Sequence, residues 1–244
     1  MAIQNKPFQY PRRRVIRWLL RAGITFAFWV LMDLKIEGKE NLPQKGPYIA
    51  IGNHFHFLDP LALILAIPEP MEFVGGYTTP NAPAWTEFFR KAWGVLMIRR
   101  GASSRDGLNA AQSTLEQKGI LAIFPEGGSW ATVLRPPRQG TALLAMRTTA
   151  PILPVGIHGL TEVFPTLAKG HHAKVVIRIG KPFQLSLDPA LSMRDQMESA
   201  GHQMMRKVQE LIPPDHHGYY SADPAVRAAA KGTEIYPWEN SSEV

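Results

Sequence analysis

Apolar residues along this chain come in short runs cut by Gly, Pro and clusters of charge. Runs rich in β-branched and aromatic residues predict buried strands at 34–37, 48–51, 71–77, 94–98, 119–124, 151–158 and 173–180. In the last of these Val175, Ile177 and Ile179 alternate with Lys174, Val176 and Arg178, the signature of a half-buried strand. Between them lie segments of helical character at 61–67, 85–93, about 103–118, 141–149 and about 192–212, with Ser103 and Ser104 placed to cap the third. Strands alternating with helices predict an α/β fold, with a mostly parallel central sheet flanked by helices and right-handed crossovers. In such sheets ligands gather outside the carboxyl ends of strands, so the polar groups following Ile51, Ile98 and Phe124 are expected to share one pocket.

The two ends of the chain depart from this pattern. Arg12, Arg13 and Arg14 precede an aromatic-rich apolar stretch at 15–32 that Arg17 and Arg21 interrupt. Its uncharged part, 22–32, is about half of the roughly 20 residues that a spanning helix needs. Basic residues before an apolar run also suit a signal peptide, but no small-x-small cleavage site follows and a strand begins at once. Residues 1–33 are therefore read as a basic, amphipathic membrane-surface helix. Its arginines would face anionic head groups, and Trp18, Phe26, Phe28 and Trp29 would enter the lipid edge. The competing reading is a helix packed on the domain's own core. Residues 34–212 form the domain, and 213–244 read as an irregular tail with a solvated pair, His216 and His217.

Charge and composition narrow the chemistry. A net charge of +7 favours an anionic partner: nucleic acid, an anionic membrane or a phosphorylated substrate. The absence of cysteine excludes disulfides, thiolate metal sites and cysteine nucleophiles. At 244 residues the chain suits one compact domain with short additions.

Three clusters carry candidate chemistry. After the strand at 48–51 come Asn53, His54, His56 and Asp59, and Asp59-Pro60 reads as a helix start with Asp as N-cap. This places a carboxylate within reach of His54, where it would fix the tautomer and free the other ring nitrogen to take a proton from an alcohol. The same residues, His-x-His-x-x-Asp, could instead ligate a metal in a hydrolase, with His158, His171 or His172 completing the set. Arg99 and Arg100, at the end of another strand, suit a phosphate or a solvated turn. Glu126 lies between a buried strand and the pair Gly127-Gly128, where its carboxylate would accept hydrogen bonds from a substrate hydroxyl or from backbone amides.

Asn53-His54-x-x-x-x-Asp59 followed by Phe124-Pro125-Glu126-Gly127 resembles the lysophospholipid acyltransferase family, typified by 1-acylglycerol-3-phosphate acyltransferases. The lead-in from Ile36 to Pro43 and the strand from Pro151 to Gly156 share the likeness, which runs over about 34–182. The resemblance implies an O-acyltransferase of phospholipid biosynthesis. It would move an acyl chain from acyl-CoA or acyl carrier protein to a lysophospholipid hydroxyl at the cytoplasmic face of a membrane. Carried over by position, His54 is the base and Asp59 holds its ring; Glu126 and Gly127 help to bind the acceptor, and Arg99 or Arg100 meets its phosphate. No metal, other cofactor, covalent intermediate or nucleic acid is implied. Family members usually continue Thr-Arg-Ser after Gly127, whereas this chain has Gly128-Ser129-Trp130. Either Arg135 or Arg138 replaces the missing arginine, or the acceptor is another lipid or glycolipid hydroxyl. A non-enzymatic lipid-binding module on the same scaffold is the remaining alternative, and intact His54, Asp59 and Glu126 speak against it.

Overall fold

The computed structural model describes residues 8–76, 82–98 and 105–233. Arg99 and Arg100, the Ser103-Ser104 cap and most of the 78–84 loop lie outside them. Helix α1 (Arg14–Leu31) passes into β1 (Met32–Glu37) with no residue between. There follow β2 (Tyr48–Gly52), α2 (Asp59–Ala66), β3 (Met71–Gly76), α3 (Trp85–Trp93), β4 (Leu96–Ile98), α4 (Arg105–Glu116) and β5 (Ile120–Ile123). Then come α5 (Gln139–Thr148), β6 (Ile152–His158), α6 (Val163–Leu167), β7 (Ala173–Ile179), α7 (Met193–Gln209) and α8 (Pro224–Ala228). Ser192 caps α7 by accepting the Asp195 N–H.

The seven strands form one sheet in the order β1-β7-β6-β2-β5-β3-β4. Every neighbouring pair is parallel except β6 and β7. The central strands β2 and β5 are buried on both faces, which is why they read as unbroken apolar runs. Tyr48, Ala50 and Ala122 face a core built with α1 and α2, while Ile49, Ile51, Leu121 and Ile123 face one built with α4, α5 and α7. The neighbours β2 and β5 thus hand the chain to helices on opposite faces, α2 on one and α5 on the other. The crevice between their carboxyl ends is where such sheets place ligands.

Helix α1 corrects the sequence expectation for its arginines. They turn inward. Arg17 is buried and sets Nη1 and Nη2 on the two oxygens of Glu72 in β3, at 2.9 and 2.6 Å, with Nε on Trp93 O at 3.0 Å. Arg12 joins the same carboxylate at 2.5 Å. Arg13 donates to the carbonyls of Lys91 and Ala92, and Arg21 to those of Ile64, Leu65 and Ile67 at the end of α2. Phe28, expected at a lipid edge, is in the core with Ile24. The physical reason is Glu72: a carboxylate inside a buried strand requires a cation, and Arg17 of α1 and Arg12 just before the helix supply two. The apolar residues left over point outward: Val15, Ile16, Trp18, Leu19, Phe26 and Trp29 are exposed, Trp29 to 75%. Among the described residues no helix is long and apolar enough to cross a membrane.

The chain beyond Pro213, read as irregular from sequence, runs through two 3-10 turns, Pro214–His216 and Gly218–Tyr220, into α8. Its histidine pair is not simply solvated. His216 Nδ1 lies 2.7 Å from Thr132 O, and His217 Nε2 lies 3.1 Å from Ile212 O.

Candidate active site

The site lies where β2, β5 and β6 end. Asn53 is fully buried and its side chain acts as one more rung of the sheet: Nδ2 donates to Ile157 O and Oδ1 accepts the Ile157 N–H, both at 2.8 Å. Sequence reading placed Asn53 in the motif without this role. The signal was its position immediately past a buried strand, where an amide can imitate backbone.

Fixed by that anchor, His54 leaves the sheet. Its backbone N–H donates to Glu126 Oε1 at 2.8 Å, and its ring stacks on Phe124, centroids 4.2 Å apart. Nδ1 lies 3.0 Å from Asp59 Oδ2, which also accepts the His56 N–H at 2.7 Å. Asp59 is therefore not the N-cap of α2. Leu58 occupies that position and no side chain caps it. The turn bonds Asp59 N–H to His56 O and folds the acid back onto the histidine that precedes it. With Nδ1–H held by a buried carboxylate, the neutral tautomer leaves Nε2 as the proton acceptor.

Of the two kinds of partner expected for Glu126, the structure shows backbone amides rather than an open face. It is 1% exposed; Oε1 takes the His54 N–H, and Oε2 takes Arg135 Nε at 3.1 Å and Arg135 N at 3.3 Å. Burial pushes its carboxyl up to about 7, against the lowering effect of Arg135 and the His54 amide. Arg135, 1% exposed, also donates to Gly128 O, and its guanidinium carbon lies 3.8 Å from the centre of the Trp130 ring. Sequence reading offered Arg135 as a phosphate ligand; the structure commits it to Glu126. Gly127 adopts φ +81°, and a Cβ there would meet Arg138 Cγ at 3.1 Å. Arg138 is exposed and lies across this turn, its N–H on Pro125 O at 2.7 Å. Arg99 and Arg100 lie outside the described residues.

His56 does not converge with His54 and Asp59 as a ligand set would. Its Nδ1 accepts the Leu58 N–H at 3.4 Å, its ring packs on Phe57 with centroids 4.1 Å apart, and burial lowers its pKa. Among the described residues no three His, Asp or Glu side chains stand where they could hold a metal ion. Phe57 continues an aromatic cluster with Trp85 and Phe164, at 5.9 and 6.0 Å, both half exposed beside the site.

Comparison with known proteins places the chain in a family. An acyltransferase family model matches residues 33–158, the segment that carries every group just described except those supplied by α1, α6 and the tail. The chain is 26% identical over 183 residues to a chloroplastic 1-acyl-sn-glycerol-3-phosphate acyltransferase of Brassica napus, covering 72% of this chain and 52% of that one. It is 27% identical over 154 residues to the 1-acyl-sn-glycerol-3-phosphate acyltransferase of Borreliella burgdorferi, covering 60% of each. The chain thus spans between half and three fifths of the length of these relatives. The crystal structure of PlsC from Thermotoga maritima superposes with a TM-score of 0.57 at 23% identity, over 81% of this chain and 80% of that one, and shares the fold. The chain belongs to the acyltransferase family.

Proposed function

We propose that this protein is an O-acyltransferase that moves a fatty acyl chain from an acyl thioester, acyl-CoA or acyl carrier protein, to a lysophospholipid hydroxyl, with 1-acylglycerol-3-phosphate as the leading acceptor. The observation that carries the reading is the 3.0 Å contact between His54 Nδ1 and Asp59 Oδ2. The imidazole is thereby oriented and supported for accepting a proton at Nε2. The acceptor O–H gives its proton to Nε2 while its oxygen attacks the thioester carbonyl. The C–O bond forms, the C–S bond breaks, and the imidazolium returns the proton to the departing thiolate. A thioester needs no metal and no enzyme-bound acyl intermediate for this, and both substrates can be held together on one base. The co-substrate is the acyl donor itself.

Arg138, exposed over Gly127, is the described cation best placed for the acceptor phosphate, with Arg99 and Arg100 as further candidates. Glu126 acts through His54 and not on the acceptor. The membrane is met by the outward rings of α1 together with Trp85, Phe88 and Phe164, which remain exposed. That surface supports a peripheral or monotopic enzyme, and the proposed donors, acyl-CoA or acyl carrier protein, support the cytoplasmic face of the membrane. The adhesive part is mainly apolar, since Arg17 and Arg21 of α1 are engaged inside the protein and Arg14 is the arginine of the helix that stays exposed.

The test is thiol release from acyl-CoA in the presence of lysophosphatidate, other lysophospholipids and glycolipid acceptors in turn. Acceptor-dependent release that His54→Ala abolishes supports the proposal. Release that survives in His54→Ala defeats it. A preference for an acceptor without a phosphate monoester moves the assignment to another lipid hydroxyl and leaves the reaction class intact.

A further inference from the structure

The loop between β5 and α5 carries Arg135, and the last described part of the chain holds that loop at every second residue. Trp130 Nε1–H donates to Thr233 O at 2.8 Å, and His216 Nδ1 meets Thr132 O at 2.7 Å. Leu134 is gripped from both sides: its N–H donates to His216 O, and its carbonyl accepts the Tyr219 N–H, each at 2.9 Å. Gly218 lets the two backbones come this close. A Cβ there would stand 2.4 Å from Leu134 O and 2.9 Å from Leu134 N, and its φ is +48°. The segment is itself tied down, with Tyr220 O accepting from Gln209 Nε2 at 3.0 Å and Tyr220 OH on His202 Nδ1 at 2.8 Å. It also delivers His216 beside Phe55 and His158, whose rings lie 5.7 and 5.0 Å away at the rim of the site.

The next residue after Leu134 is Arg135. Its Nη1 is buried with no hydrogen-bond partner, so Glu126, Gly128 O and the face of Trp130 hold the guanidinium in place. A loop whose register depends on backbone bonds from another segment fixes that guanidinium only while the segment is seated. The family model ends at residue 158, so these contacts come from beyond the matched segment.

We propose that residues 213–233 form a strap that positions the catalytic base. They clamp the loop at Trp130, Thr132 and Leu134, the loop holds Arg135 on Glu126, and Glu126 holds the backbone of His54. The proposal rests on the reading of His54 as base. Arg135 and Glu126 are positioning residues, touching neither the acceptor nor the donor.

Two full-length variants test it. Trp130→Phe keeps a ring over Arg135 and removes the bond to Thr233, and Gly218→Ala pushes the segment away from Leu134. Amide hydrogen exchange, which needs no substrate, is read at the peptide containing His54 and at β7 as the reference. The strap predicts faster exchange at His54 with β7 unchanged, and a kcat lowered about tenfold with the KM for the acyl donor unmoved. Wild-type exchange at His54 in the folded variants overturns the proposal. So does exchange that rises equally in β7, which would make the contacts a matter of global stability. If Gly218→Ala fails to fold, Trp130→Phe alone decides. The exchange result stands whether or not acyl transfer is detected, so failure of the strap and failure of the proposed function are read separately.

Discussion

Arg17 and Glu72 form a buried, two-pronged ion pair between α1 and β3, with nitrogen–oxygen distances of 2.9 and 2.6 Å. Both groups are withdrawn from water, so neither can lose its partner cheaply. Glu72→Gln leaves two arginine side chains facing a neutral amide and should destabilise the protein by about 3–5 kcal/mol. Chemical denaturation measures it. Arg12→Gln should cost less, because the Arg12 side chain is partly exposed.

The outward rings of α1 predict membrane binding of a particular kind. Replacing Trp18, Phe26 and Trp29 with Ser should weaken vesicle association by about tenfold per ring, at the usual worth of buried apolar area, and leave the melting temperature nearly unchanged. Sedimentation with vesicles at low and high salt reads the effect, which should differ little between the two. Binding that vanishes at high salt in the wild type would return the helix to an electrostatic role.

Asp59→Asn tests the tautomer. Both contacts fall on the single oxygen Oδ2, so an amide either keeps its oxygen there with a weaker hold on Nδ1–H, or turns its NH2 toward Nδ1, which drives the ring proton to Nε2 and leaves the His56 N–H unpaired. Turnover should fall by about a hundredfold or more with the fold intact. Thiol release and circular dichroism on the same preparation check both halves.

The carboxyl of Glu126 gives a sign that denaturation can verify. Its folded pKa is raised by burial from 4.5 to about 7, so the native state holds its proton more tightly than the unfolded chain. That contribution to stability is complete below 4.5 and gone above about 7. Relative to Glu126→Gln, whose side chain does not titrate, the wild type should lose stability as pH rises through this window. A wild type that gains stability instead would show that Arg135 outweighs burial.

Much of this architecture was legible in the sequence, for reasons that particular residues make plain. The runs at 48–51, 119–124 and 151–158 are buried on both faces, and a strand covered on both sides has no room for alternation. His54 and Asp59 could be paired because one strand, one turn and one helix start place both. The rings of Trp18, Phe26 and Trp29 face outward as expected, and it is Arg17 and Arg21 that depart from expectation, because an arginine is ordinarily a surface residue. A clue was present: Glu72, alone among apolar neighbours in a strand, had to find a cation. The partner of Glu126 was hidden more deeply, since Arg135 stands beside two prolines in a loop and only tertiary packing brings it to the carboxylate. The strap was invisible for the same reason. Its bonds to Leu134 are backbone bonds, and backbone carries no sequence signature except the glycine at 218.

Leu31 is the last residue of a helix and Met32 the first of a strand, so the transition has no linker to act as a hinge. Whatever plane the outward aromatics of α1 settle into, the sheet must tilt with them. The height of the crevice above that plane is then a constant of the molecule. On the proposed function, a substrate anchored by its own tail has to rise by that distance for its head to be acylated, and the side of α1 on which these rings stand would set how far.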